Sequence, residues 1–167
     1  MTLTQLIAAN NASTPTSGGN ITINGTGSSN YGLQQQSGSL TAFGSITMNA
    51  SSTGNRGSYF GGSGTNLAVG NITLNSTSTS GNNWGMYVET NKVFQSTAGN
   101  IAITSSGSGG AYIYGKLIAA NSEANPASGG TITINATGTS SSAPVTPTSR
   151  MRFTRASGSL RTNRSAT

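Results

Sequence analysis

The stretch Gly19-Asn20-Ile21-Thr22-Ile23-Asn24 returns four times: as Gly44-Ser45-Ile46-Thr47-Met48-Asn49, Gly70-Asn71-Ile72-Thr73-Leu74-Asn75, Gly99-Asn100-Ile101-Ala102-Ile103-Thr104 and Gly130-Thr131-Ile132-Thr133-Ile134-Asn135. Apolar and polar residues alternate in each copy, the period of a strand and not of a helix. The first isoleucines are 25, 26, 29 and 31 residues apart, and spacings of this size mark a repeat architecture. After each of the first four copies come Gly, Ser, Thr and Asn, then an aromatic segment: Tyr31-Gly32-Leu33, Tyr59-Phe60, Trp84-Gly85-Met86-Tyr87-Val88 or Ala111-Tyr112-Ile113-Tyr114. A third apolar patch follows at Leu40, Leu67, Val93-Phe94 and Leu117-Ile118. Three short strands per turn with Gly-rich polar corners describe a coil of a parallel β-helix. The expected fold class is therefore all-β, a parallel β-helix solenoid of about five to six coils with uncapped ends.

Stacked in this way, Ile21, Ile46, Ile72, Ile101 and Ile132 form an inward column, with Ile23, Met48, Leu74, Ile103 and Ile134 beside it. The outward file Thr22, Thr47, Thr73 and Thr133 is interrupted by Ala102, and a second file holds Asn24, Asn49, Asn75 and Asn135. These eight Thr and Asn residues are the candidate ligand-binding ladder, a flat polar face suited to a repetitive ligand such as a glycan or ice. The plain alternative is a solvated strand surface. The aromatic residues are expected mostly inside or over a sheet edge, the alternative being a stacking platform for sugars or bases. Gly and Asn at the corners are expected to supply positive φ. Glu89 and Lys92 are expected to pair on the surface.

A longer period overlies the coil. Shifted by 111 residues, 6–27 matches 117–138 at 15 of 22 positions, so the larger unit is four coils. Both copies carry an expanded corner, residues 10–19 and 121–130, expected on the same edge.

Composition narrows the chemistry. More than half of the 167 residues are Gly, Ser, Thr and Asn, and there is no Cys, His or Asp. The missing side chains remove disulfides, thiol and imidazole catalysis, and Cys-based zinc sites. Glu89 and Glu123 are the only carboxylates, too few for a designed metal cage and poorly suited to a glycosidase pair. No enzyme activity, cofactor or metal is expected. Gly61-Gly62-Ser63-Gly64 and Gly107-Ser108-Gly109-Gly110 lack the Gly-Lys-Ser/Thr of a phosphate loop and read as corners. No apolar run is long enough for a membrane helix.

The phrases Gly19 to Gly27 (G-N-I-T-I-N-G-T-G) and Ala98 to Gly110 (A-G-N-I-A-I-T-S-S-G-S-G-G) resemble the repeats of bacterial filamentous-haemagglutinin-type exoproteins and related autotransporter adhesins. The resemblance covers roughly residues 3–140. It implies a long right-handed parallel β-helix displayed on a Gram-negative surface, with no catalytic residues in its stalk.

Residues 1–138 are thus the repeat body, 139–149 a Ser/Thr/Pro-rich loop or linker, and 150–167 a basic tail. Of the net charge of +6, nearly all lies in tail residues Arg150, Arg152, Arg155, Arg161 and Arg164, a candidate anion-binding set. Met151-Arg152-Phe153-Thr154 is expected as the aromatic strand of a sixth coil, with Leu160 in its third patch. The expected function is a structural and adhesive segment of a longer exported protein, secreted or on a bacterial cell surface. Its expected partners are a surface glycan or host receptor and neighbouring repeats or chains at both open ends. Neither nucleic acid nor membrane insertion is expected. The alternatives are a tail-spike-like, polysaccharide-acting β-helix and an ice-binding solenoid.

Overall fold

Alternating residues make the strands, and register between coils makes the fold. The computed structural model describes residues 2–3, 5–81, 83–124, 127, 129–138, 140–142, 151–155 and 159–161. In chain order the strands are β1 (Thr2–Leu3), β2 (Leu6–Ala8), β3 (Ile21–Gly27), β4 (Leu33–Gln35), β5 (Leu40–Ala42), β6 (Ile46–Ser52), β7 (Ser58–Phe60), β8 (Gly64–Ala68) and β9 (Ile72–Ser78). They continue as β10 (Met86–Val88), β11 (Lys92–Ser96), β12 (Ile101–Ser106), β13 (Ala111–Ile113), β14 (Lys116–Ile118), β15 (Ile132–Thr137), β16 (Ser140–Ser142), β17 (Met151–Arg155) and β18 (Ser159–Arg161). Three parallel sheets result, ordered β1-β4-β7-β10-β13-β16-β18, β14-β11-β8-β5-β2 and β17-β15-β12-β9-β6-β3. Each complete turn uses one strand of each sheet, and β3–β5, β6–β8, β9–β11 and β12–β14 are four such turns. The chain is an all-β parallel solenoid.

The isoleucine column is in register from Ile21 through Ile46, Ile72 and Ile101 to Ile132. Those five residues and the neighbouring Ile23, Met48, Leu74, Ile103 and Ile134 are all buried. Each such side chain contributes roughly 1.5–3 kcal/mol, so stacking like on like lets a narrow coil hold a continuous core. Buried serines close the next corner: Ser76 Oγ donates to Gly85 O at 2.5 Å and Ser105 Oγ to Gly110 O at 2.9 Å.

The Gly-Asn, or once Gly-Ser, pair before an isoleucine is the joint to the next coil. Asn20 Oδ1 accepts the Ser45 N–H at 2.7 Å, Asn71 Oδ1 the Asn100 N–H at 2.8 Å, and Asn100 Oδ1 the Thr131 N–H at 2.8 Å. At the remaining step Ser45 Oγ accepts the Asn71 N–H at 3.1 Å. These side chains occupy the space beside the following coil's glycine. A Cβ on Gly44 would stand 2.1 Å from Asn20 Oδ1; one on Gly99, 2.6 Å from the Gly70 carbonyl carbon; and one on Gly130, 2.1 Å from Gly99 O. Positive φ among the described glycines occurs instead at Gly18, Gly38, Gly62, Gly64 and Gly110. The glycines before the isoleucines therefore serve close approach, while the positive φ expected of corner glycine is found at those five positions.

Two expectations about side chains are also corrected. In the second sheet, where the sequence places Leu67 in the apolar patch, Asn66 and not Leu67 points inward, because Phe94 lies opposite Asn66 and Gln95 opposite Leu67. The amides of Asn66 and Gln35 bond reciprocally at 2.9 and 3.1 Å, and Asn66 Oδ1 also accepts the Leu40 N–H at 3.1 Å. That satisfaction makes an inward Asn tolerable. Lys92 does not pair with Glu89 on the surface. It is fully buried, opposite Gly64, and its Nζ donates at 2.8 Å to Gly38 O, the same carbonyl that a Cβ on Gly64 would strike. Glu89 accepts instead from the Tyr59 hydroxyl and from the Gly62 N–H. The ion pair among the described residues is Lys116–Glu123, at 2.8 Å.

The 111-residue period is structural. Ala9 bridges Gly18, and Ala120 bridges Gly129, in matching antiparallel contacts at the neck of each expanded corner. Asn10 Oδ1 accepts the Thr16 N–H and its equivalent, Asn121 Oδ1, accepts the Ala127 N–H, both at 3.0 Å. The tail lies one sheet earlier than expected. Met151 and Phe153 stand opposite Ile132 and Ile134, so β17 extends the isoleucine sheet and not the aromatic one. Leu160 accordingly pairs beside Ser141 in the aromatic sheet. Apolar alternation, shared by Met151-x-Phe153 and Ile-x-Ile, accounts for the shift. Within the stretch read as a linker, 140–142 is a strand. Residues 139 and 143–149, with Arg150 and Arg164 of the tail, lie outside the described residues.

Two stability measurements follow. By urea unfolding, Gly99→Ala is expected to cost about 1–3 kcal/mol through backbone overlap. Gly19→Ala, whose Cβ meets nothing within 4 Å, should stay within about 0.5 kcal/mol. Burial pushes the Lys92 ammonium down to about 8, while in the unfolded chain it keeps its ordinary value of about 10.4. The unfolded state then binds more protons between those values, so stability rises from about pH 8 to pH 10 and is flat below. Lys92→Met should abolish the rise.

Candidate functional site

Two outward faces carry chemistry. The first is the Thr/Asn ladder. Thr22, Thr47 and Thr73 are in register with Ala102 and Thr133, and Asn24, Asn49 and Asn75 with Thr104 and Asn135. Asn49 Nδ2 donates to Asn24 Oδ1 at 2.8 Å and Asn75 Nδ2 to Asn49 Oδ1 at 2.9 Å. The structure thus brings Thr22, Asn24, Thr47, Asn49, Thr73 and Asn75 together. The coil carrying Ala102 and Thr104 separates Thr133 and Asn135 from them. Much of the asparagine hydrogen bonding runs along the solenoid axis from amide to amide, which favours a structural role for this file.

The second face is aromatic. In the first sheet Ser58, Met86 and Ala111 point inward, as do Phe60, Val88 and Ile113, so the residues between them, Tyr59, Tyr87 and Tyr112, must point out. Their rings stack: Tyr59–Tyr87 centroids lie 5.8 Å apart at 19° and Tyr87–Tyr112 4.6 Å apart at 14°. Tyr31, three residues before the strand position held by Gln34, adds its ring to the pile 5.1 Å from Tyr59. Trp84 and Tyr114 lean on Tyr112 at 4.9 and 4.4 Å. All five tyrosines and the single tryptophan of the chain therefore share one outer face. Of the four phenylalanines, Phe60 and Phe94 are buried, in edge contact at 5.1 Å. The sequence expectation is burial inside or cover over a sheet edge: Phe60 and Phe94 are inside, and the two-residue alternation of the strand turns Tyr59, Tyr87 and Tyr112 outward onto the sheet face.

Charged groups lock the ladder. The Arg56 guanidinium lies 4.4 Å from the Tyr87 ring centroid, 5.7 Å from Tyr59 and 5.9 Å from Tyr31, and Nη1 donates to the Tyr31 hydroxyl at 3.4 Å. Its buried Nε has ring faces around it in place of a hydrogen-bond acceptor. The hydrogen bond to Glu89, with burial and the carboxylate's charge, pushes the Tyr59 hydroxyl up to about 12. A hydrogen bond with Tyr114 leads the causes that push Tyr112 to about 12. Beside Tyr87, Tyr112 and Tyr114, a groove of about 360 Å3 opens over Glu89, Thr90 and Asn91. Neither Arg56 nor this groove was singled out from sequence. The signal was the recurrence of tyrosine at the middle position of each short aromatic strand.

In the basic tail, Arg152 and Arg155 lie on β17 and Arg161 on β18. Compared with family models, curated proteins and solved structures, the chain matches none. The resemblance to adhesin repeats therefore extends to the parallel solenoid and its repeats, and to nothing finer.

The ladder is expected to stabilise the coil stack. Tyr87→Ala, which removes two ring contacts and the nearest partner of Arg56, should cost about 2–3 kcal/mol, whereas Tyr87→Phe should stay within about 1 kcal/mol. Thermal unfolding followed by circular dichroism measures both.

Proposed function

We propose that this chain is a non-catalytic structural and adhesive β-solenoid, a segment of a secreted or surface-exposed bacterial exoprotein that makes contact through its lateral faces. A right-handed coil belongs to the same reading. One observation carries it: an in-register stack whose tyrosines and tryptophan are gathered on one outer face of an otherwise polar, nearly neutral body. Aromatic residues concentrated on a surface mark contact sites, and a repeat stack supplies reach and stiffness. The carboxylates support a binding role over a hydrolytic one, since Glu123 is engaged by Lys116 and Glu89 by Tyr59 and Gly62. The expected partner is a surface glycan or host receptor. The in-register Thr file gives the ice-binding alternative its one supporting feature, and thermal hysteresis tests it.

Beads coated with the purified chain, offered to a panel of bacterial and epithelial cells, should bind at least one cell type saturably and be displaced by soluble protein. Retention equal to that of albumin-coated beads throughout the panel contradicts the reading.

A further inference from the structure

We propose that the groove bounded by Tyr87, Glu89, Thr90, Asn91, Tyr112 and Tyr114 binds a neutral pyranose sugar, with the apolar face of the ring stacked on Tyr114. The proposal deepens the adhesive reading and rests on it.

The groove arises from unequal corners. Three residues, 89–91, join β10 to β11, but only 114 and 115 join β13 to β14 one coil further on. The shorter corner is drawn tightly onto the longer one, for a Cβ on Gly115 would meet Lys92 O at 2.4 Å and Glu89 O at 2.9 Å. Thr90 and Asn91 are left as an exposed ledge, and Tyr114 stands over it as a wall.

Tyr114 differs from the other tyrosines. The ladder rings are nearly parallel and spend their faces on one another, so Tyr59 and Tyr87 offer edges to solvent. The Tyr114 ring is tilted 56° from Tyr112, and the residue is 44% exposed. It is the ring on this face whose orientation departs from the stack at the mouth of the groove. An aromatic face is electron-rich and attracts the polarised C–H groups of a sugar's apolar face. The rim of such a ring carries hydroxyls, and the ledge offers complementary groups: the Asn91 amide and Thr90 hydroxyl both donate and accept. Glu89 is held in place by the Tyr59 hydroxyl and the Gly62 N–H, which leaves part of its carboxylate accepting capacity open. The same carboxylate disfavours acidic sugars and phosphates. The volume of about 360 Å3 is near the low end of small-molecule clefts, roughly 300–1,000 Å3, and suits a terminal sugar.

The test is saturation-transfer difference NMR on the whole chain with D-galactose, D-glucose, D-mannose and N-acetyl-D-glucosamine, each in turn. At least one sugar should receive saturation on the protons of one ring face. Tyr114→Ala should weaken that sugar about tenfold, as expected for one lost stacked ring. Tyr114→Phe should retain it, and Lys116→Ala should leave it unchanged. Unaltered far-UV circular dichroism of Tyr114→Ala separates a lost site from a lost fold. No transfer to any of the four sugars, or binding that survives Tyr114→Ala, overturns the proposal. Should the coated beads still adhere in either of those cases, the adhesive reading stands and only the sugar site falls. Beads that do not adhere refute the adhesive reading on its own terms.

Discussion

Everything in this molecule depends on the distance of closest approach between successive coils. Parallel strands lie about 4.8 Å apart, and at the corner before each isoleucine that spacing must also hold a side-chain oxygen from the coil beneath. Gly99 and Gly130 fit there because they have no Cβ to strike Gly70 and Gly99. With the corner closed, Asn71 and Asn100 satisfy the backbone N–H groups above them, and the isoleucines are delivered into register. The joints lie at exposed corners, where a hydrogen bond contributes about 0.5–1.5 kcal/mol, so the Gly-Asn joint and the isoleucine column support one another.

A composition this polar ordinarily fails to fold, since too little apolar surface is available to offset chain entropy. Two features resolve the difficulty. Each inward aliphatic residue touches its equivalents above and below, and polar groups admitted to the interior are hydrogen-bonded. The Gln35–Asn66 amide pair and the Lys92–Gly38 contact are the clearest cases. The lysine is an uncommon solution, a cation buried on a carbonyl without a carboxylate beside it, and burial lowers its pKa accordingly.

The repeat phrase, its strand period and its spacing made the parallel solenoid and both inward columns legible, because register follows directly from identical residues at fixed intervals. Where the phrase is missing, legibility failed. Asn66-Leu67 looked like a polar-apolar step with leucine inside, yet pairing with Phe94 places the amide there. Glu89 and Lys92, three residues apart, suggested a surface pair, but strand alternation turns one inward. The aromatic segments are expected inside or over a sheet edge, whereas tyrosine's middle position in a three-residue strand turns it outward. The groove at Tyr114 depends on a two-residue difference between the coils, four residues between Val88 and Val93 against two between Ile113 and Lys116, which becomes visible only when the coils are stacked.

Four coil steps separate Thr22 from Thr133, and the chain has no native cysteine. A Thr22→Cys, Thr133→Cys variant can therefore carry two spin labels without background, and pulsed electron-electron resonance reads the spacing directly. In-register stacking predicts a narrow distribution centred near 19 Å at roughly 4.8 Å per step, broadened only by the label arms. A broad distribution centred beyond about 35 Å, which is the radius of gyration of an unfolded chain of 111 residues and well short of its end-to-end distance, would contradict it.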